Sequence, residues 1–140
     1  MSHQRSWLVA YCILLATFVL AAALNMLRIH GGFLTNHAAD IVVPAWLYIV
    51  SRGLHEARGR HTLFQRTVGR TPEIAAVSLF VASAMTEVSQ HLWPHGVFSG
   101  RFDWLDVISY AVGLAACYAS DRIWTSEPTA TVAQAPGPAA

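Results

Sequence analysis

The chain of 140 residues has too few charged side chains for a water-soluble domain of its size. Hydrophobic residues make up 54% of it and charged residues 12%, whereas an average soluble domain has roughly 25% charged residues. The net charge of +1 excludes the broad basic surface that a nucleic-acid-binding protein needs. This composition predicts an all-α integral membrane protein.

The first predicted helix, 7–27, contains no charged residue and is long enough to cross a bilayer. A crossing helix needs about 20 mostly apolar residues. A secretory signal peptide is the alternative, because Arg5 precedes the run and three alanines at 21–23 suit a peptidase. The apolar part of a signal peptide typically has about 7–15 residues, so the length favours an uncleaved span.

Three further apolar segments follow, each with at least one acidic residue in it: 38–54, 73–93 and 104–124. We therefore expect four transmembrane helices in an antiparallel bundle, with 1–124 as one membrane domain. Thr71 and Pro72 indicate the start of the third helix, because a capping hydroxyl and an N-terminal proline are typical of a helix start. The segment 125–140 is rich in Ala, Pro and Thr and is expected to be a disordered tail.

The distribution of arginine predicts the orientation of these helices. The connection 51–72 is rich in arginine, and such an excess holds a loop in the cytoplasm. Its arginines are Arg52, Arg58, Arg60, Arg66 and Arg70. With four spans, both termini are then cytoplasmic as well. The expected location is the cytoplasmic membrane of a bacterial-type cell, with membrane lipids as the surrounding partners.

This orientation brings acidic residues together in the extracytoplasmic half of the bundle. Asp40 would lie in the first turn of the second helix, and Glu87 would lie well inside the third. Glu87 shares a helix face with the residues three and four positions later, and Asp106 shares one with Asp103 and Tyr110. The predicted polar pocket consists of Asp40, Glu87, Gln90, His91, Arg101, Asp103, Asp106 and Tyr110.

Some of these residues have purely structural alternatives. Asp103 is also a candidate N-cap of the fourth helix, where the helix dipole favours Asp106 three positions later. Asp40 has the same first-turn interpretation. Arg101 is the expected partner of the Glu87 carboxylate, since a guanidinium binds a carboxylate through two hydrogen bonds; an ordinary loop arginine is the alternative.

The sequence predicts neither a metal nor another cofactor. His91 and His95 follow Glu87, but Pro94 separates the two histidines and the pattern matches no zinc motif. His37, with His30, is interpreted as a solvated residue of the first outer loop.

The pocket motif resembles that of the VanZ-like family of small membrane proteins. The resemblance rests on Glu87-x-x-Gln90, Arg101-x-Asp103-x-x-Asp106 and Gly113, and it extends over roughly 36–118. The small residues Ser109, Gly113 and Cys117 suit close helix packing. The resemblance implies a role in the cell envelope, because the name-giving members are associated with reduced susceptibility to the lipoglycopeptide teicoplanin.

The favoured function is non-catalytic binding of an envelope amphiphile, such as a lipid-linked glycan or a lipoglycopeptide. Arg101 would meet a phosphate or carboxylate, and the acids would accept hydrogen bonds from hydroxyls or amines. One alternative is a membrane enzyme with Glu87 as general base. Another is a proton- or ion-coupled carrier, which is disfavoured because the inner halves of the helices look nearly featureless. A four-helix carrier would also have to form an oligomer to provide a path for the ion.

Overall fold

The computed structural model of the chain describes residues 3–29, 32–56, 62–93 and 102–126. These parts are helical and contain no β-strand. The helices in chain order are α1 (His3–Met26), α2 (Phe33–Arg52), α3 (Leu63–Thr67), α4 (Pro72–Leu92) and α5 (Trp104–Ser126).

Helix α1 is long and apolar enough to cross a membrane, judged by its length and composition. Only 11% of its most apolar window is buried in the fold, so most of its apolar side chains face outward. Trp7 and Ala21 are the buried exceptions. The Trp7 ring packs edge-on against Trp124 at a centroid distance of 4.9 Å, and this contact fastens the start of α1 to the end of α5.

Helix α2 is the centre of the fold and contacts each of the other helices. Near its start, His37 contacts Asp106 in the first turn of α5, and near its end, Tyr48 contacts Asp121 in the last turns of α5. Contacts therefore follow the same order along both helices, which means that α2 and α5 run parallel.

Helix α4 runs in the opposite direction to α5. Glu87 near the end of α4 contacts Tyr110 near the start of α5, whereas Glu73 at the start of α4 contacts Tyr118 farther along α5. Thr71 begins α4 by accepting a hydrogen bond from the backbone N–H of Ile74 at 3.2 Å. The predicted start of this helix at the Thr-Pro pair is therefore confirmed.

The parallel pair α2–α5 packs unusually closely at Gly113. A Cβ atom at this position would collide with the carbonyl oxygen of Ile41 in α2. One turn farther along, the thiol of Cys117 donates to the carbonyl oxygen of Ala45 at 3.7 Å. The face of small residues expected on this helix is confirmed as a packing surface, because small residues allow two backbones to approach each other.

Two predicted boundaries are wrong. Helix α2 begins at Phe33 rather than at 38, after Gly32 with φ of 73°, so Asp40 lies about two turns inside the helix and not in its first turn. The expected connection 51–72 also contains a helix, α3, which begins with a capping box formed by Thr62 and Gln65.

The predicted tail begins too early, because α5 continues to Ser126. The remainder of that tail, 127–140, lies outside the described residues, as do Arg58 and Arg60 of the basic connection.

We expect Gly113→Leu to destabilise the fold strongly, because its side chain has no room between α5 and the Ile41 carbonyl. Ala119→Leu is the matched control, since Ala119 is exposed on the same helix. Thermal unfolding of the detergent-solubilised protein measures the effect. Equal unfolding temperatures for the two variants would show that the α2–α5 approach is not as close as described.

Candidate functional site

A buried glutamate links α4 to the start of α5. Glu87 is only 2% exposed. Its Oε1 accepts a hydrogen bond from the Tyr110 hydroxyl at 2.8 Å, and its Oε2 accepts one from the backbone N–H of Asp103 at 3.4 Å. A buried carboxylate needs such donors, because an unpartnered charge in a low-dielectric interior is costly.

More acidic side chains lie beside Glu87, and a histidine accompanies them. His37 Nδ1 is 2.8 Å from Asp106 Oδ1, and both side chains are largely buried. The Asp40 carboxyl lies beside the Asp106 carboxyl, and Glu87 is close enough for its negative charge to repel that of Asp40. One acidic cluster is therefore formed by Asp40 of α2, Glu87 of α4 and Asp106 of α5, and we call it the acidic end of the α2–α5 pair.

Asp103 has two roles at the start of α5. Its backbone N–H reaches Glu87, and its side-chain Oδ1 accepts from the backbone N–H of Leu105 at 2.9 Å. The second contact is that of an N-cap, which the sequence allowed as the structural alternative.

A cavity of about 340 Å³ opens next to the acidic end. Most of its wall is apolar, and its polar groups are the Asp40 carboxyl and the hydroxyls of Ser83, Thr86 and Tyr110. The complete lining is Ala39, Asp40, Val43, Pro44, Leu47, Ala82, Ser83, Thr86 and Tyr110. An apolar cavity of a few hundred Å³ with a few convergent polar groups is typical of small-ligand sites.

The structure brings together Asp40, Glu87, Asp103, Asp106 and Tyr110 from the predicted pocket. Gln90 is half-buried one turn after Glu87 on α4. His91 is exposed, and its ring lies 5.7 Å from that of Phe102 in an edge-on contact. Arg101 and His95 lie outside the described residues.

The prediction that His37 is a solvated loop residue is wrong. The residue belongs to α2, and its side chain is 15% exposed. The spacing of His37 and Asp40 places them on one face of a helix, and this spacing indicates that His37 belongs with the acids of the site. It was missed because the start of α2 was placed after His37.

A second buried cluster lies at the other end of the α2–α5 pair, which contradicts the expectation of featureless inner helix halves. Asp121 is 1% exposed, and its Oδ2 accepts from the Tyr48 hydroxyl and from Nε of Arg52, both at 2.8 Å. Arg52 Nη1 also donates to the carbonyl oxygen of Gly69 at 2.8 Å. Arg52, expected in a basic loop, is therefore the partner of a buried acid.

Asp121 has two donors on α2, Tyr48 and Arg52, and we call this group of three residues the paired end. In the sequence, Asp121 is an acid near the end of an apolar segment, directly before an arginine. Charged residues also mark the end of an ordinary transmembrane helix. The pattern alone therefore does not distinguish a buried acid with partners from a charged residue at the end of a transmembrane helix.

No protein-family model, no curated protein and no solved structure matches this chain. The function of the chain is therefore inferred from the chemistry of its own residues.

We expect Tyr110→Phe to lower the free energy of unfolding by roughly 1–3 kcal/mol, because the buried Glu87 loses its closest donor. Tyr118→Phe is the matched control: it removes an exposed 3.5 Å contact between the same two helices, to Glu73. Denaturant unfolding in detergent measures both. If both substitutions have the same effect, Glu87 does not depend on the Tyr110 hydroxyl.

Proposed function

We propose that α1, α2, α4 and α5 cross the cytoplasmic membrane of a bacterial-type cell as an antiparallel bundle with both termini in the cytoplasm. The shortest of these helices has 20 residues, which corresponds to about 30 Å at the rise of an α-helix and to the thickness of the hydrocarbon layer. The arginine-rich connection supports the orientation, because such loops stay in the cytoplasm.

The outer surface of α4 supports the membrane assignment. This helix exposes Val77, Val81, Met85 and Val88, which are three or four residues apart and form one apolar stripe. Of its two acids, Glu73 lies in the first turn, at the end of the helix, whereas Glu87 is buried against α5. An apolar exterior, with acids either at the helix end or turned inward, is expected of a helix surrounded by lipid.

We further propose that the acidic end faces the outside of the cell and that its cavity binds an envelope amphiphile. The observation that carries this proposal is the cavity itself. Its wall offers apolar surface for a chain, while Asp40 and Tyr110 provide a polar end backed by Glu87. Carboxylates and hydroxyls of this kind bind ligand hydroxyls and amines.

The ligand class that fits is a lipid with a sugar or peptide headgroup, such as a lipid-linked glycan or a lipoglycopeptide. Trp93 and Trp104 are both strongly exposed near the acidic end and offer ring faces for a sugar or an acyl chain. The resemblance to VanZ-like proteins adds Arg101, which would bind a phosphate or carboxylate of the same ligand. It also supports an influence on antibiotic susceptibility.

Filling the cavity tests this proposal. We expect Ala82→Phe to weaken binding of teicoplanin, used as the lipoglycopeptide probe, at least tenfold in nanodiscs, because Ala82 lines the cavity. Ala119→Phe places the same side chain on an exposed position of α5 and is expected to bind like the unaltered protein. Intrinsic tryptophan fluorescence measures the affinity.

A lipid-linked disaccharide is the second probe in the same assay, since either ligand class fits the cavity. The proposal is contradicted if neither probe binds the unaltered protein. It is also contradicted if Ala82→Phe and Ala119→Phe change the affinity equally, because the binding surface would then lie elsewhere.

A further inference from the structure

We propose that His37, Asp103 and Asp106 form a binding site for a divalent transition-metal ion. One potential ligand atom of each residue lies within 4.8 Å of the others. His37 Nδ1 and Asp106 Oδ1 are 2.8 Å apart, a hydrogen-bond distance, so a metal ion would take the place of the proton between them.

The donor set suits a metal such as Mn²⁺ or Zn²⁺. It combines an imidazole nitrogen with two carboxylates, and such mixed sets bind first-row divalent ions. Metal–ligand bonds of about 2.0–2.2 Å would place the donor atoms roughly 3–3.5 Å apart. Small side-chain rotations are therefore sufficient to bring the three donor atoms around one ion.

Asp103 can bind a metal without leaving its place at the helix start. Its Oδ1 accepts from the Leu105 N–H, while the carboxylate has a second oxygen. That hydrogen bond holds the side chain in one orientation and lowers the entropic cost of forming the site.

The electrostatic surroundings also favour a cation. Asp40 lies against Asp106, and the buried Glu87 is a further acidic neighbour. Acidic side chains that converge at partly buried positions repel one another, and a divalent ion relieves this repulsion more strongly than hydrogen bonds to neutral groups.

The sequence did not suggest this set, because its residues come from two distant segments. The histidine–acid pattern that it did offer involved His91, which is exposed on α4 and edge-on to Phe102. The ligands instead join the early turns of α2 to the start of α5. The site therefore depends on the parallel packing of those two helices and not on helical spacing.

The purified, chelator-treated chain of 140 residues is titrated in detergent with Mn²⁺, and electron paramagnetic resonance measures the loss of the free-ion signal. We expect one ion per chain, displaced by Zn²⁺, which forms stronger complexes with such donors than Mn²⁺ does. The measurement uses the metal alone, so its result is independent of whether the cavity binds an amphiphile.

Two substitutions test the assignment of ligands. Asp103→Asn removes a carboxylate but keeps the N-cap, because Asn caps helices as well as Asp. Asp106→Asn removes the carboxylate that faces His37. We expect each to weaken Mn²⁺ binding at least tenfold, whereas His91→Gln leaves it unchanged. Helical circular dichroism verifies that each variant is folded.

Two results would overturn the proposal. The first is the absence of stoichiometric Mn²⁺ or Zn²⁺ binding by the folded, unaltered chain. The second is binding that survives both aspartate substitutions with unchanged affinity, or that is lost in His91→Gln, because either pattern assigns the ion to other residues.

Discussion

The close approach of α2 and α5 at Gly113 is the constraint on which the remaining structure depends. With a hydrogen in place of a side chain, the α5 backbone comes within contact distance of the Ile41 carbonyl. This contact fixes the register of two parallel helices. The same register brings His37 to Asp106 on one side of Gly113 and Tyr48 to Asp121 on the other. A shift by one turn would separate both pairs.

The two ends of this helix pair have different chemistry. At the paired end, Asp121 has a hydroxyl donor and a guanidinium, so its negative charge is balanced within the fold. Buried acids without such partners are strongly destabilising, which makes this group a structural one. At the acidic end, several carboxyl groups converge on a hydroxyl, a backbone N–H and an imidazole, with no guanidinium among these contacts, and an open cavity lies beside them. This difference is why both proposals, for an amphiphile and for a metal ion, concern that end.

The sequence predicted those features that depend on local chemistry. The Thr71-Pro72 helix start and the close-packing face around Gly113 follow from capping, proline geometry and side-chain size, and the structure has both. It did not predict the roles of His37 and Asp121, because these come from contacts between segments about 70 residues apart in the chain. The start of α2 was also missed, since Gly32 supplies no side-chain cap for this helix.

The central claim is that the acidic end opens to the outside of a membrane-embedded bundle. Cysteine accessibility in intact cells tests it most directly, on a background without Cys12 and Cys117. Single cysteines replace Leu92, which is exposed at the end of α4, Thr86, which lines the cavity, and Arg70, which is exposed just before α4. The account predicts that a membrane-impermeant thiol reagent labels positions 92 and 86 but not 70. Labelling of position 70 with protection of the other two would invert the protein in the membrane, and labelling of none or all of them would equally contradict the claim.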